Sequence, residues 1–217
     1  MKKKIKFISV LPRFVFPGPK PASKSMPDWF RTMPTVSEGI QTVKRCVPVL
    51  DAMTTGYMMT LAADIEFDGH EFIQTTVELL VTKHDPSQTE RVQLPMEFLT
   101  QPYKWTNFFT LVTPKGYSTL FVHPMNRLDL PFYSFSGVVD TDKHPVPVNF
   151  PFVMRGNFKG TIPAGTPLVQ AIPFKRENWS SEIETSESPK FNKASYEMHN
   201  PPFGYYKKHW WSRKLYS

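Results

Sequence analysis

An all-β fold, a distorted barrel or sandwich with an extended N-terminal arm and an aromatic, basic C-terminal tail, is what this sequence predicts. Three observations carry the expectation: apolar residues alternate along short segments, 22 prolines punctuate the chain, and turn signals separate the apolar runs. Proline fixes φ and removes a backbone donor, so a share about twice the usual ~5% favours short strands and ordered loops over long helices. A length of 217 residues suits one compact domain with appendages. The expected organisation is an arm over 1–46, a β domain over 47–179, and a linker with tail over 180–217.

The arm runs through Pro17-Gly18-Pro19-Lys20-Pro21 to Met26-Pro27-Asp28-Trp29-Phe30, where two large rings call for burial. Ser37 to Thr42 reads as a turn of helix weakened by Gly39. From Val47 to Glu66, apolar Val47, Val49, Leu50, Met53, Tyr57, Met59, Leu61, Ala63 and Ile65 predict strand around a Thr54-Thr55-Gly56 turn. Phe72–Thr82 alternates similarly, and Asp85-Pro86-Ser87 marks a loop. Further strands are expected at Phe108–Val112, Tyr117–Val122, Phe132–Val139 and Val146–Met154. Pro147 and Pro151 lack donors on the same side of the last of these, which predicts an unpaired edge or a break in the ladder. Pro163-Ala164-Gly165 makes a turn, with proline at its second position and glycine at its fourth, before Leu168–Phe174 returns to the sheet. Ser180–Pro189 reads as an exposed acidic linker.

The net charge of +7, concentrated in Met1–Lys24 and Phe191–Ser217, suits solvated basic arms or an anionic partner. One cysteine, Cys46, excludes an intrachain disulfide and suits a reducing compartment; a small buried residue is the expectation there, against a thiolate activated by Lys44 and Arg45. No run approaches the ~20 apolar residues of a membrane span. Asp64, Glu66 and Asp68 share a strand face and read as solvated. His70-Glu71 begins like a zincin helix, but Gln74 stands where a second histidine is needed. His123 and His144 flank two candidate turns, as phosphate contacts or as ordinary loop and core residues.

Four segments in order resemble the dUTPase motifs: Gly56-Tyr57, Pro124-Met125-Asn126-Arg127-Leu128, Gly137-Val138-Val139-Asp140-Thr141-Asp142, and Gly165 to Gln170. The resemblance covers about Asp51 to Phe174. It implies a distorted β-barrel of the β-clip type, a homotrimer with sites shared between subunits, and a nucleotide-like ligand. Asp140 is then the counterpart of the general base, and Tyr57, Asn126, Arg127, Asp142, Lys143, His144 and Gln170 are candidate ligand contacts. Met58 replaces the family's metal-associated aspartate, and a thioether is a poor ligand for a hard cation. The chain also resembles uncharacterised proteins encoded by large tailed bacteriophages, through Met26–Phe30, Thr42–Cys46 and Leu50–Tyr57, which implies host cytoplasm or virion.

The leading expectation is therefore a phage-encoded, non-catalytic dUTPase-like protein that binds a nucleotide-like ligand at intersubunit turns. A virion structural or assembly protein is the alternative, and a divergent nucleotide hydrolase or deaminase the third. Asp140 and Asp142 also read as turn residues bonding nearby amides. No cofactor is expected, Mg2+ entering only with the hydrolase. In the tail, Tyr205, Tyr206, Trp210, Trp211 and Arg213 have the chemistry of a subunit or partner contact, with nucleic acid ranking below it.

Overall fold

The computed structural model describes residues 3–11, 18–74, 79–183, 189–199 and 204–217. Its strands are β1 Lys6–Ser9, β2 Lys20–Pro21, β3 Val36–Ser37, β4 Ile40–Gln41, β5 Tyr57–Thr60, β6 Ile65–Phe67, β7 Phe72–Ile73 and β8 Val81–Lys83. They continue as β9 Phe98–Trp105, β10 Phe109–Val112, β11 Tyr117–Val122, β12 Phe132–Ser134, β13 Gly137–Val139, β14 Phe150–Arg155, β15 Gly160–Ile162 and β16 Pro167–Lys175. Three α-helices accompany them: α1 Asp28–Thr32, α2 Val47–Thr54 and α3 Pro189–His199.

These strands form five open antiparallel sheets, the largest in the order β13-β11-β16-β5-β2 and the next β12-β14-β9-β8. Among the described residues no sheet closes on itself, and helices share the architecture with strands. The all-β barrel expectation is thereby overturned: the protein is mixed α and β. The dUTPase-like, β-clip reading falls with the barrel. The virion-structural reading attached to that fold is set aside with it; of the arm and tail expected to lock onto neighbours, β1 pairs with β10 and Trp211 and Lys214 bond to Asp51 of the same chain.

Several local expectations change for identifiable reasons. Val47–Thr54 is helix α2 rather than strand, because Pro48 in its first turn presets helical φ and Leu50 to Met53 continue without a breaker. Ser37–Thr42 holds a hairpin: Glu38 and Gly39, at φ 49° and 77°, supply the paired left-handed residues of a two-residue turn. Cys46 is exposed, not buried. Phe132–Val139 divides between β12 and β13, which belong to different sheets. β9 is a strand that no alternation announces, with Gln101-Pro102 imitating a turn signal inside it. The expected strand Phe72–Thr82 is instead two short strands of different sheets, β7 and β8, with residues 75–78 outside the described set. Part of the expected linker, residues 184–188, also lies outside it, and α3 begins at Pro189.

The edge or break expected at Pro151 is not there: β14 lies between β12 and β9, Pro151 pairs with Lys104 and its carbonyl accepts from Phe135, and the register shift falls between Val153 and Arg155. The turn after β15 is one residue later than expected: Thr166 donates to the Pro163 carbonyl at 3.1 Å, with Gly165 at φ 81° in its third position. Phe30 is buried and Trp29 half-buried against it, their rings edge-on at 5.5 Å.

The core lies where the sheets meet. Trp105 of β9 stacks on Phe152 of β14 at 3.8 Å, Tyr103 stacks on the same Phe152 at 5.7 Å, and Phe72 and Phe132 pack edge-on around the Trp105–Phe152 pair. Phe121 of β11 reaches Phe150 at 5.2 Å and joins the two large sheets. Such rings supply most of the apolar burial that holds small sheets together.

Candidate functional site

The turn after β13 folds into a clasp. The Asp140 carbonyl accepts from the Lys143 and His144 amides at 2.8 and 2.9 Å, which turns the Asp142 side chain inward until only 3% of it is exposed. Arg176, just past β16, donates Nη1 to Asp142 Oδ1 at 2.9 Å and Nη2 to Oδ2 at 2.6 Å. The Gly116 amide adds a third bond to Oδ2 at 2.8 Å. This pairing, led by Arg176, holds the Asp142 carboxyl far below the usual carboxylate range. Asp140 accepts from Ser118 Oγ at 2.6 Å, the main cause of its own lowered pKa, and lies 3.2 Å from Arg176. A carboxylate so stabilised is a weaker base. Lys143 stands 4.0 Å from Asp140 and is largely exposed, while His144 Nδ1 contacts the Val146 carbonyl at 2.9 Å. Nothing in the motif pattern singles out Arg176, the hub of the arrangement.

The second candidate turn is equally committed. Asn126 takes φ 60°, and Arg127 donates its amide to the Pro124 carbonyl at 3.1 Å, closing a tight turn. The Arg127 side chain forks onto Asp129 at 2.9 and 2.8 Å. Gln170 is fully buried; its oxygen accepts from Met125 N at 3.0 Å and its amide donates to the carbonyls of Ala52 and Thr55 at 2.8 and 2.6 Å. His123 Nδ1 accepts from Ser134 N at 3.3 Å, so Nε2 carries the proton donated to the Arg127 carbonyl at 3.1 Å. Burial lowers its pKa and keeps the ring neutral.

Tyr57 lies elsewhere, on the floor of a cavity of about 620 Å³. Gly56 places it: at φ 77° it lets β5 approach β16 where a Cβ would collide with the Ala171 carbonyl. Lys3, Lys4 and Lys6 line one wall, Lys214 and Tyr216 the other, and Tyr117 joins Tyr57 at the base. The Tyr57 ring meets Phe7 edge-on at 5.1 Å and Tyr216 at 5.7 Å, and its hydroxyl donates to the Ser217 carbonyl at 3.4 Å. Burial raises the Tyr57 and Tyr216 pKa values, so both phenols stay protonated. Lys3 Nζ lies 5.7 Å from the Tyr117 ring centroid, and among the described residues no carboxylate pairs with Lys3, Lys4 or Lys6. The larger hollow of about 890 Å³ beside residues 86–101 has Glu90 and no cation in its lining.

The tail residues divide. Trp211 Nε1 donates to Asp51 Oδ2 at 2.8 Å, and Tyr205 stacks on His209 at 4.2 Å while bonding Glu197. Tyr206 is half-buried; Trp210 and Arg213 are exposed. The acidic strand residues serve turns: Asp64 accepts from Ala164 N at 2.7 Å, and Asp68 accepts from the His70 and Glu71 amides. Among the described residues no three His, Cys, Asp or Glu gather as a metal site, and no helix is long and apolar enough to cross a membrane.

Comparison with family models, curated proteins and solved structures finds no match. Site chemistry alone therefore argues the function.

Proposed function

We propose that this protein binds a small anionic ligand bearing an aromatic ring, a nucleotide being the chemistry that fits, in the cavity floored by Tyr57 and Tyr117. One observation carries the reading: Lys3, Lys4 and Lys6, which have no carboxylate partner among the described residues, line a recess together with Tyr57 and Tyr117. Unpaired cations favour phosphate, phenol faces favour a base, and about 620 Å³ lies within the ~300–1,000 Å³ usual for small-molecule sites. The ligand seat thus moves from the turns at 124–127 and 140–144 to the far side of Tyr117.

Titration calorimetry with ATP, tripolyphosphate and adenosine tests it. ATP is expected to bind more tightly than either fragment, and its affinity to fall as sodium chloride rises from 50 to 300 mM, since exposed charges are screened. Absence of binding by all three, or salt-independent binding, overturns the proposal.

A further inference from the structure

The cavity has one wall that the body of the protein does not supply. Lys214, Leu215, Tyr216 and Ser217 form it, tied to the body by a side-chain anchor at Asp51 and by the contacts of Tyr216 and the Ser217 carbonyl with Tyr57. Asp51, on α2, has a side chain only 16% exposed; its Oδ2 accepts from the Trp211 indole N–H at 2.8 Å and from Lys214 Nζ at 2.6 Å. From that anchor the tail runs on to place Tyr216 edge-on against Tyr57. The two donors differ in capacity. An indole has one N–H, which Asp51 takes; an ammonium has three, so Lys214 can hold Asp51 and still offer a donor to an anion in the recess.

We propose that Asp51 is a latch: by docking residues 211–217 it completes the ligand cavity, so that tail closure and ligand binding reinforce each other. The inference rests on the cavity being the ligand site. A ligand that contacts Lys214 and Tyr216 binds only the docked tail, and linkage requires that it hold the tail down by the same factor that docking raises its affinity. Asp51 is a positioning residue here, acting through the wall it holds.

Trypsin cleavage after Arg213 and Lys214, read by intact mass, reports the tail with or without ligand, and ATP titration reports the cavity. Asp51→Ala is expected to speed cleavage about tenfold and weaken ATP binding by a similar factor, and saturating ATP is expected to slow cleavage of the unaltered protein. Trp211→Phe removes the indole donor and keeps a smaller aromatic ring, so it yields a smaller shift in the same direction and covers a failure of Asp51→Ala to fold. Unchanged cleavage in either folded variant overturns the latch. Faster cleavage with unchanged ATP affinity, or cleavage of the unaltered protein indifferent to ATP, overturns the coupling while the cavity reading stands. If the unaltered protein binds no ATP, the cavity reading falls and takes the coupling with it, whatever the variants show.

Discussion

Two neighbouring regions, the Asp142–Arg176 clasp and the lysine-lined cavity, hold charge in opposite ways. They share Tyr117, whose carbonyl accepts from Arg176 at 3.0 Å while its ring lines the cavity. In the clasp the Arg176 guanidinium and the Gly116 amide bond to Asp142 and the Ser118 hydroxyl to Asp140, all inside the chain, and the result is structure. In the cavity Lys3, Lys4 and Lys6 are exposed and have no carboxylate partner among the described residues, and the result is capacity for an external anion. A motif's residue types are thus a poorer guide to binding than whether their bonds are already made.

The sharpest way to break this contrast is Gln170→Ala, within the committed turns. It strands the Met125 amide and two carbonyls in a buried space, which costs about 3 kcal/mol, or roughly 6–12 °C in melting temperature. ATP affinity of the folded protein should hold; a loss of affinity without a loss of stability would return Gln170 to the ligand site. Next comes Asp142→Asn, expected to lower the melting temperature by roughly half as much. Its pH signature is specific. The folded-state pKa of Asp142 is depressed, so its stabilisation is present above the unfolded value of ~3.9 and is lost as pH falls toward the folded one. Denaturation between pH 5 and 2 should accordingly be shallower in the variant.

Lys4→Gln with Lys6→Gln probes the other region. ATP binding should weaken about tenfold, the size expected of two screened charges, with the melting temperature unmoved. A fall in stability instead would make these lysines structural too. The smallest effect belongs to His123→Gln. The buried ring resists protonation in the folded state, so the unfolded chain takes the proton first below ~6.5 and stability falls from pH 7 to 5. The variant should remove that slope in urea titrations at the two pH values.

Legibility in the sequence follows the range of the interactions. β11 and β16 were readable because short apolar runs bounded by turn signals are local features of the chain. Sheet closure is decided by pairings between distant strands, such as β16 with β5 and β14 with β9, and local pattern holds no record of them. α2 was misread because eight residues with Pro48 in the first turn satisfy both periods. For the site, the basic ends were visible in composition, and Tyr57 in its motif. That the two ends converge on Tyr57 is a tertiary fact, as is the reach of Arg176 from the end of β16 to the turn after β13.

The position of Arg176 has a dynamic consequence. Through Asp142, Asp140 and the Tyr117 carbonyl it pins the end of β13, the start of β11 and the end of β16, three adjacent strands of one sheet. None of these ends can fray alone without breaking a charge-assisted bond shared with the other two. Amide protons across them should therefore exchange with solvent as one cooperative unit, opening together or not at all.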